Sequence, residues 1–379
     1  MQGDCFETLF YLDGEPGALA SFLEDRLEPD SVIVLDSPGG QIVEVKAQGF
    51  PDGDTLAEVA SRFVPRRVKT ISPVLPVLSR RDIEVPFITV AEMLDYNAGR
   101  DLELWQLACR YEGARGNLRE EVVLSRMKDL ILIMQGSILA GIEGSRYADR
   151  ILGYQSGTFR ERLEKGGLLD GGMLNLIILY VTAMMEMKSS MGLIVAAPTA
   201  GSCGGLPGAC IGAATSMGLS VDDMAKAMLS AGLIGVFIAA HATFAAEVGG
   251  CQAECGAGSG MAAAALVTLA RGTVAQALAA SSLALQNILG MICDPVANRV
   301  EVPCLGKNVL AASNALSCAN MALADYDALI PLDEVIETMD RVGKSLPAEL
   351  RCTAEGGLSI TPASKAIEER LARGLASAG

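Results

Sequence analysis

Two hydrophobic periodicities divide the chain. Up to about residue 75 the apolar positions fall in short runs broken by turn residues. Ser31-Val32-Ile33-Val34-Leu35, a turn at Ser37-Pro38-Gly39-Gly40, and the run 41–46 read as a β-hairpin. Helical spacing over 16–27 and 54–63 and a strand near 67–71 complete a small α/β domain, residues 1–75. A proline-spaced linker follows over 73–86. Beyond it the apolar residues recur at helical spacing: 88–96, 101–107, 118–140, a methionine-rich helix over 173–191, then 221–246, 258–271, 274–289, 307–322 and 332–342. Residues 145–172 are polar and glycine-rich and read as a surface connection holding one helix, and 362–371 is a charged surface helix. The predicted fold class is mainly α: a helical domain over 76–379, preceded by the small α/β domain.

Composition sharpens this picture. Hydrophobic residues make up 50% of the chain but aromatics only 4%, so the helices pack through Ala, Leu, Val, Ile and Met, with small residues at the contacts. The uncharged stretch 227–246 is long enough to raise a membrane reading. It is studded with Ala, Gly, Ser and Thr and contains a histidine, which favours a central helix buried on all sides and no membrane. A net charge of −15 supplies no basic stripe for nucleic acid. The start MQGDCFETLF has no basic, apolar leader pattern. Ten cysteines without framework spacing favour a reducing cytosol over a disulfide scaffold, so a cytoplasmic location is expected.

The cysteines also carry the chemistry. Cys251 follows Gly249-Gly250, Cys293 precedes Asp294-Pro295, and Cys304 follows Pro303, so each lies at a break in the helical pattern. Such breaks let thiols turn toward one point, and thiolates at one point suit a soft metal or an iron–sulfur cluster. A structural zinc site wants four ligands. Three thiolates on a cubane leave one iron open as a Lewis acid, which suits catalysis. Cys109, Cys203, Cys210 and Cys318 read as small core hydrophobes, and Cys255 as a neighbour in a run of small residues. The loop AAPTAGSCGGLPGAC, 196–210, combines glycines with Thr199 and Ser202 before an apolar helix. It reads either as an anion cradle at a helix start or as an ordinary helix connection.

Four ordered motifs, AAPTAGSCGGLPGA (196–209), GCQAECGAGSGMAAAA (250–265), ALQNILGMICDPVANRVEVPCLGKN (284–308) and RCTAEGGLSITP (351–362), resemble the α subunit or α domain of the iron–sulfur-dependent bacterial L-serine dehydratases. The resemblance spans about 88–371. It implies a helical domain, a 4Fe-4S cluster on Cys251, Cys293 and Cys304, and β-elimination of water from L-serine to pyruvate and ammonia. Thr199, Ala200, Gly201 and Ser202 would cradle the substrate carboxylate. Pyridoxal phosphate is not expected: Lys307 lacks the phosphate cup and α/β frame that cofactor needs, and is read as a point charge beside the cluster loop or as a surface lysine.

The chain also departs from the family pattern. The serine-rich, histidine-containing loop of the family's β part is absent, and 33–50 looks like a fragment of that part, so residues 1–75 read as a relic of it or as a regulatory module. His241 stands where asparagine is common and is read as a catalytic base or a hydrogen-bonded helix histidine. Cys352 stands where glutamate is common and is read as a fourth ligand or a neutral substitution. Arg299, between the last two ligands, is read as a partner for a substrate carboxylate or a surface residue. The expected partners are a small amino acid, further copies of the chain and a β-type subunit. The alternatives to a serine lyase are a lyase for another β-substituted amino acid, such as an L-cysteine desulfidase, and a cluster-bearing subunit active only with its partner.

Overall fold

The structure, a computed structural model, describes residues 6–37, 40–71, 84–147 and 150–376. The chain forms two compact units, Met1–Ser79 and Arg80–Gly379. Most of the proline-spaced linker, 72–83, lies outside the described residues.

In the first unit, β1 (Phe6–Leu12), α1 (Pro16–Leu27), β2 (Ser31–Ser37), β3 (Gly40–Ala47), α2 (Gly53–Phe63) and β4 (Arg67–Ile71) follow in order. The strands form an antiparallel sheet in the order β2-β3-β1-β4. Alternation decides what is buried: Phe10 and Leu12 on β1 and Val43 and Val45 on β3 point to one face, against Leu19 and Leu23 of α1 and Val59 of α2. Strand β1 was not among the elements expected. FETLFYL carries apolar residues on both faces, so the alternation of Thr8, Phe10 and Leu12 shows only once β3 and β4 flank it.

The second unit is helical, as its spacing predicts. Its helices are α3 (Val90–Asn97), α4 (Leu104–Gly116), α5 (Glu120–Glu143), α6 (Ser156–Glu164), α7 (Met173–Ser189), α8 (Gly205–Ser216), α9 (Val221–His241), α10 (Ala246–Gly249), α11 (Ala257–Leu269), α12 (Val274–Gln286), α13 (Cys304–Leu323), α14 (Leu332–Ser345) and α15 (Pro362–Ala376). At the centre, α11 is apolar and nearly all buried, packed against α8, α9, α12 and α13. By length and composition α9 is able to cross a membrane, yet 67% of its apolar window is buried inside this unit. Ser220 caps α9 by accepting from Asp223 N while the Asp223 side chain accepts from Ser220 N–H. Helices α7 and α8 meet at glycine: a Cβ on Gly208 would lie 2.5 Å from Val181 Cγ2 and 2.8 Å from Val181 N.

Of the boundaries that differ from the sequence expectation, three shape the site. Helix α8 begins inside the loop 196–210, because Pro207 sits in its first turn, where no N–H bond is lost. Helix α9 stops at His241, and its extended cap Ala242 leads into the short α10. Helix α13 begins at Cys304 with Pro303 as its cap, three residues earlier than the predicted helix 307–322.

Candidate functional site

Cys251 owes its position to Gly250, whose φ of 73° lets the chain reverse after α10. A Cβ there would meet Met291 O at 2.9 Å, so only glycine lets the backbone pass the 290–293 loop so closely. The chain then makes a π-helical turn over Gln252–Gly256, which leads into α11. Such turns often mark functional positions in helices. This one sets Glu254 and Cys255 beside Cys251, and the buried Gln252 locks it by donating to Met339 O at 2.7 Å and accepting from Gly290 N at 2.8 Å. Cys293 arrives on an extended segment: its N–H donates to Leu350 O at 2.8 Å, and its carbonyl accepts from Cys352 N–H at 2.9 Å.

These elements bring Cys251, Glu254 and Cys293 together, with their ligand atoms all within 4.8 Å of one another. Cys251 and Cys293 are each only 2% exposed. The thiols of Cys255 and Cys293 donate to Cys251 sulfur and pull its pKa down to about 4, against the opposing effect of burial. The same bond holds the Cys293 thiol protonated. Cys352, half-buried, packs against this cysteine cluster and interacts with the Cys293 thiol. Cys304, at the first turn of α13, is not in the tight group. It is buried, feels the charges of Cys251 and Glu254, and has its pKa pushed up to about 12, chiefly by burial.

Glu254 was missed in the sequence reading, although it lies three residues after Cys251. Burial pushes its pKa up to about 7. Its Oε1 accepts from Thr199 Oγ1 at 2.7 Å, and Thr199 Oγ1 lies 3.0 Å from Ser202 Oγ. A Cβ on Gly201 would sit 3.0 Å from Glu254 Oε1, so glycine there lets the loop close over the carboxylate. The 199–202 loop therefore reaches the cysteine group, Ser202 buried and Ala200 exposed. Two N–H groups at the start of α8 are engaged within the protein, as an ordinary helix connection would have them. Gly204 and Gly205 donate to Asn308 Oδ1 at 3.2 and 2.9 Å, and Asn308 Nδ2 donates to Gly201 O at 3.0 Å and Cys304 O at 2.9 Å. Asn308, fully buried, thus ties the loop to the first turn of α13.

Lys307 is a clamp on the Cys293 loop. Its ammonium donates to Ile292 O and Asp294 Oδ1, both at 2.7 Å. Burial opposes its charge, but the Cys251 thiolate and Asp294 outweigh that and raise its pKa. Lys188, whose pKa burial lowers, donates to Val300 O and lies in the field of Cys304 and Glu254. Arg299 is half-buried on the loop between Cys293 and Cys304. His241 has its ring Nε2 3.0 Å from Ile88 O and its charge felt by Glu92; none of the bonds just described joins it to the cysteine row.

Thiols that meet from the breaks at Cys251 and Cys293, buried beside the Glu254 carboxylate and the Lys307 clamp, suit a soft metal centre. The family model for "Serine dehydratase alpha chain" matches residues 99–359. The chain belongs to the serine dehydratase alpha chain family. Among family members, the "Probable L-serine dehydratase, alpha chain" of Bacillus subtilis is 34% identical over 285 residues, covering 75% of this chain and 95% of the relative. The "L-serine dehydratase, alpha chain" of Peptoniphilus asaccharolyticus is 36% identical over 273 residues, covering 72% and 93%. "L-serine dehydratase 1" of Escherichia coli is 31% identical over 285 residues, covering 73% of this chain and 62% of that longer relative. The family match includes every cysteine of the site and leaves the first unit outside it.

Proposed function

We propose that this chain is a cytoplasmic, iron–sulfur-dependent L-serine dehydratase that eliminates water from L-serine to give pyruvate and ammonia. The observation that carries the reading is the buried meeting of Cys251 and Cys293 with the Glu254 carboxylate under the Thr199 loop, inside a serine dehydratase family match. Cys251, Cys293 and Cys304 are the residues that would hold a 4Fe-4S cluster, which when bound supplies a Lewis-acidic iron for the β-hydroxyl. The remaining work belongs to the protein. Glu254 is placed to take the α-proton: Oε1 is engaged by Thr199, so the proton is assigned to Oε2. His241 is the weaker candidate, since its Nε2 is turned to Ile88 O. The Thr199–Ser202 hydroxyl pair and Arg299 are assigned to the substrate's polar groups, and Lys307 to holding the Cys293 loop in place. The aminoacrylate released then tautomerises and hydrolyses in water.

A second reading is a cluster-bearing subunit that needs a β-type partner. It is favoured by the name "alpha chain" on two relatives and by the extra length of the Escherichia coli one. The first unit, outside the family match, is assigned a regulatory role. Anaerobic purification separates the readings. Brown protein that carries iron and sulfide and forms pyruvate from L-serine alone supports the self-sufficient lyase. Brown but inert protein supports the partner-dependent subunit or another substrate. Cys293→Ser is expected to lose the colour while keeping the fold, and Glu254→Gln to keep the colour and lose pyruvate formation. Unchanged iron content in Cys293→Ser would remove that residue from the site.

A further inference from the structure

We propose that Lys188 binds the substrate's carboxylate, so that the site selects amino acids whose α-carboxylate is free; this rests on the dehydratase reading of the same site. Lys188 stands in the last turn of α7 and is half-buried. Groups from three elements act on its ammonium: Cys304 on α13, Cys203 just after the 199–202 loop, and Glu254 on the π-helical turn. The charge of Lys188 is felt in turn by Glu254. Its ammonium therefore lies beside the groups that would surround a small amino acid.

The ammonium is anchored yet unspent. It donates to Val300 O. That carbonyl is held in place because the next residue, Glu301, accepts from the N–H groups of Ile151 and Leu152, both at 3.0 Å. An ammonium carries three donors. Among the described residues Lys188 makes the bond to Val300 and no ion pair. The nearby carboxylates have other partners: Glu301 those two N–H groups, Glu254 the Thr199 hydroxyl, and Glu186, on the same helix, the Ser156 hydroxyl at 2.6 Å. Lys307 differs, since Asp294 pairs with it. A partly buried charge without a counter-ion is costly, and an arriving carboxylate supplies one.

The assignment also orients the substrate. A carboxylate drawn to Lys188 leaves the α-ammonium turned away from it by like-charge repulsion and the α-hydrogen free to face Glu254. As Glu254 takes that proton, negative charge spreads from the α-carbon into the carboxylate, where the Lys188 ammonium stabilises it.

The test uses the full chain, loaded anaerobically with iron and sulfide, as wild type, Lys188→Met and Lys188→Arg. Lys188→Gln is run beside them, because it keeps a donor for Val300 O should the methionine variant lose its metal. Two ligands are titrated by calorimetry: L-alanine, which has the carboxylate and no β-hydroxyl, and ethanolamine, which has the hydroxyl and no carboxylate. Lys188→Met is expected to weaken L-alanine binding about thirtyfold, the worth of a hydrogen bond to a charged group, and to leave ethanolamine within about twofold. With L-serine its KM is expected to rise by a similar factor, and Lys188→Arg is expected to recover most of both losses. L-Alanine bound equally by wild type and a neutral variant would overturn the assignment, as would equal weakening of both ligands or wild type that does not bind L-alanine. Loss of iron and sulfide in every variant, arginine included, would make Lys188 a support of the metal centre and overturn it too. Wild type that binds L-alanine through Lys188 but forms no pyruvate from L-serine would overturn the proposed function instead.

Discussion

Asn308→Ala tests whether one buried amide holds the two halves of the site together. Asn308 is fully buried and cross-links the start of α8 to the start of α13 through Gly204 N–H, Gly205 N–H and Gly201 O. Truncation strands those N–H groups and that carbonyl in a packed interior. A stranded buried group costs ~1–3 kcal/mol, and because the two N–H groups share one acceptor the total comes to roughly 4 kcal/mol. For a unit of this size that lowers the thermal midpoint by roughly 8 °C. Asn308→Asp keeps an acceptor for the N–H groups but turns a second oxygen toward Gly201 O and Cys304 O, so it is expected to fall in the same range. Calorimetry of the metal-free protein under argon isolates the fold from the metal. Iron retention after loading then reports whether Cys304 has moved relative to the 199–202 loop. A midpoint within about 2 °C of wild type, with full iron content, would refute the reasoning.

Two further expectations concern the scaffold. In Gly141→Ala the new Cβ would stand 2.3 Å from Ala183 O, so α5 and α7 must separate and the unit loses ~1–3 kcal/mol; Gly136→Ala, on the same helix with nothing within 4 Å, is expected to gain up to ~1 kcal/mol, and the opposite order in thermal melts would contradict the packing described. At the start of α9, bonds from the Ser220 side chain and backbone hold Asp223 at about 2, below its usual 3.8, so its carboxylate supports the folded state above 3.8 and that support fades as pH falls through about 2. Because this group lies at the surface in a solvent-screened pair with Arg271, the effect is small, under ~1 kcal/mol, and Asp223→Asn is expected to remove that part of the acid sensitivity in denaturation curves from pH 5 to pH 2.

The amino-acid sequence by itself determined the α-helical class, the hairpin in the first unit and the places where the chain breaks at Cys251, Cys293 and Cys304. These follow from local physics: helical and alternating spacing choose the backbone, and glycine and proline interrupt it. Sequence order also carried the family, because its motifs stand at the same breaks. The tertiary structure decided which side chains meet. Glu254 and Cys255 reach Cys251 through a π-helical turn, whose wider winding no apolar spacing announces. Asn308 is an ordinary polar residue on a helix until α8 brings its own unpaired N–H groups to it. Cys352 meets Cys293 through a backbone pairing between segments 58 residues apart, and Lys307 becomes a clamp because Asp294 folds back onto it. Such contacts join residues distant in sequence, and their energies depend on burial and geometry that exist only once the helices have packed.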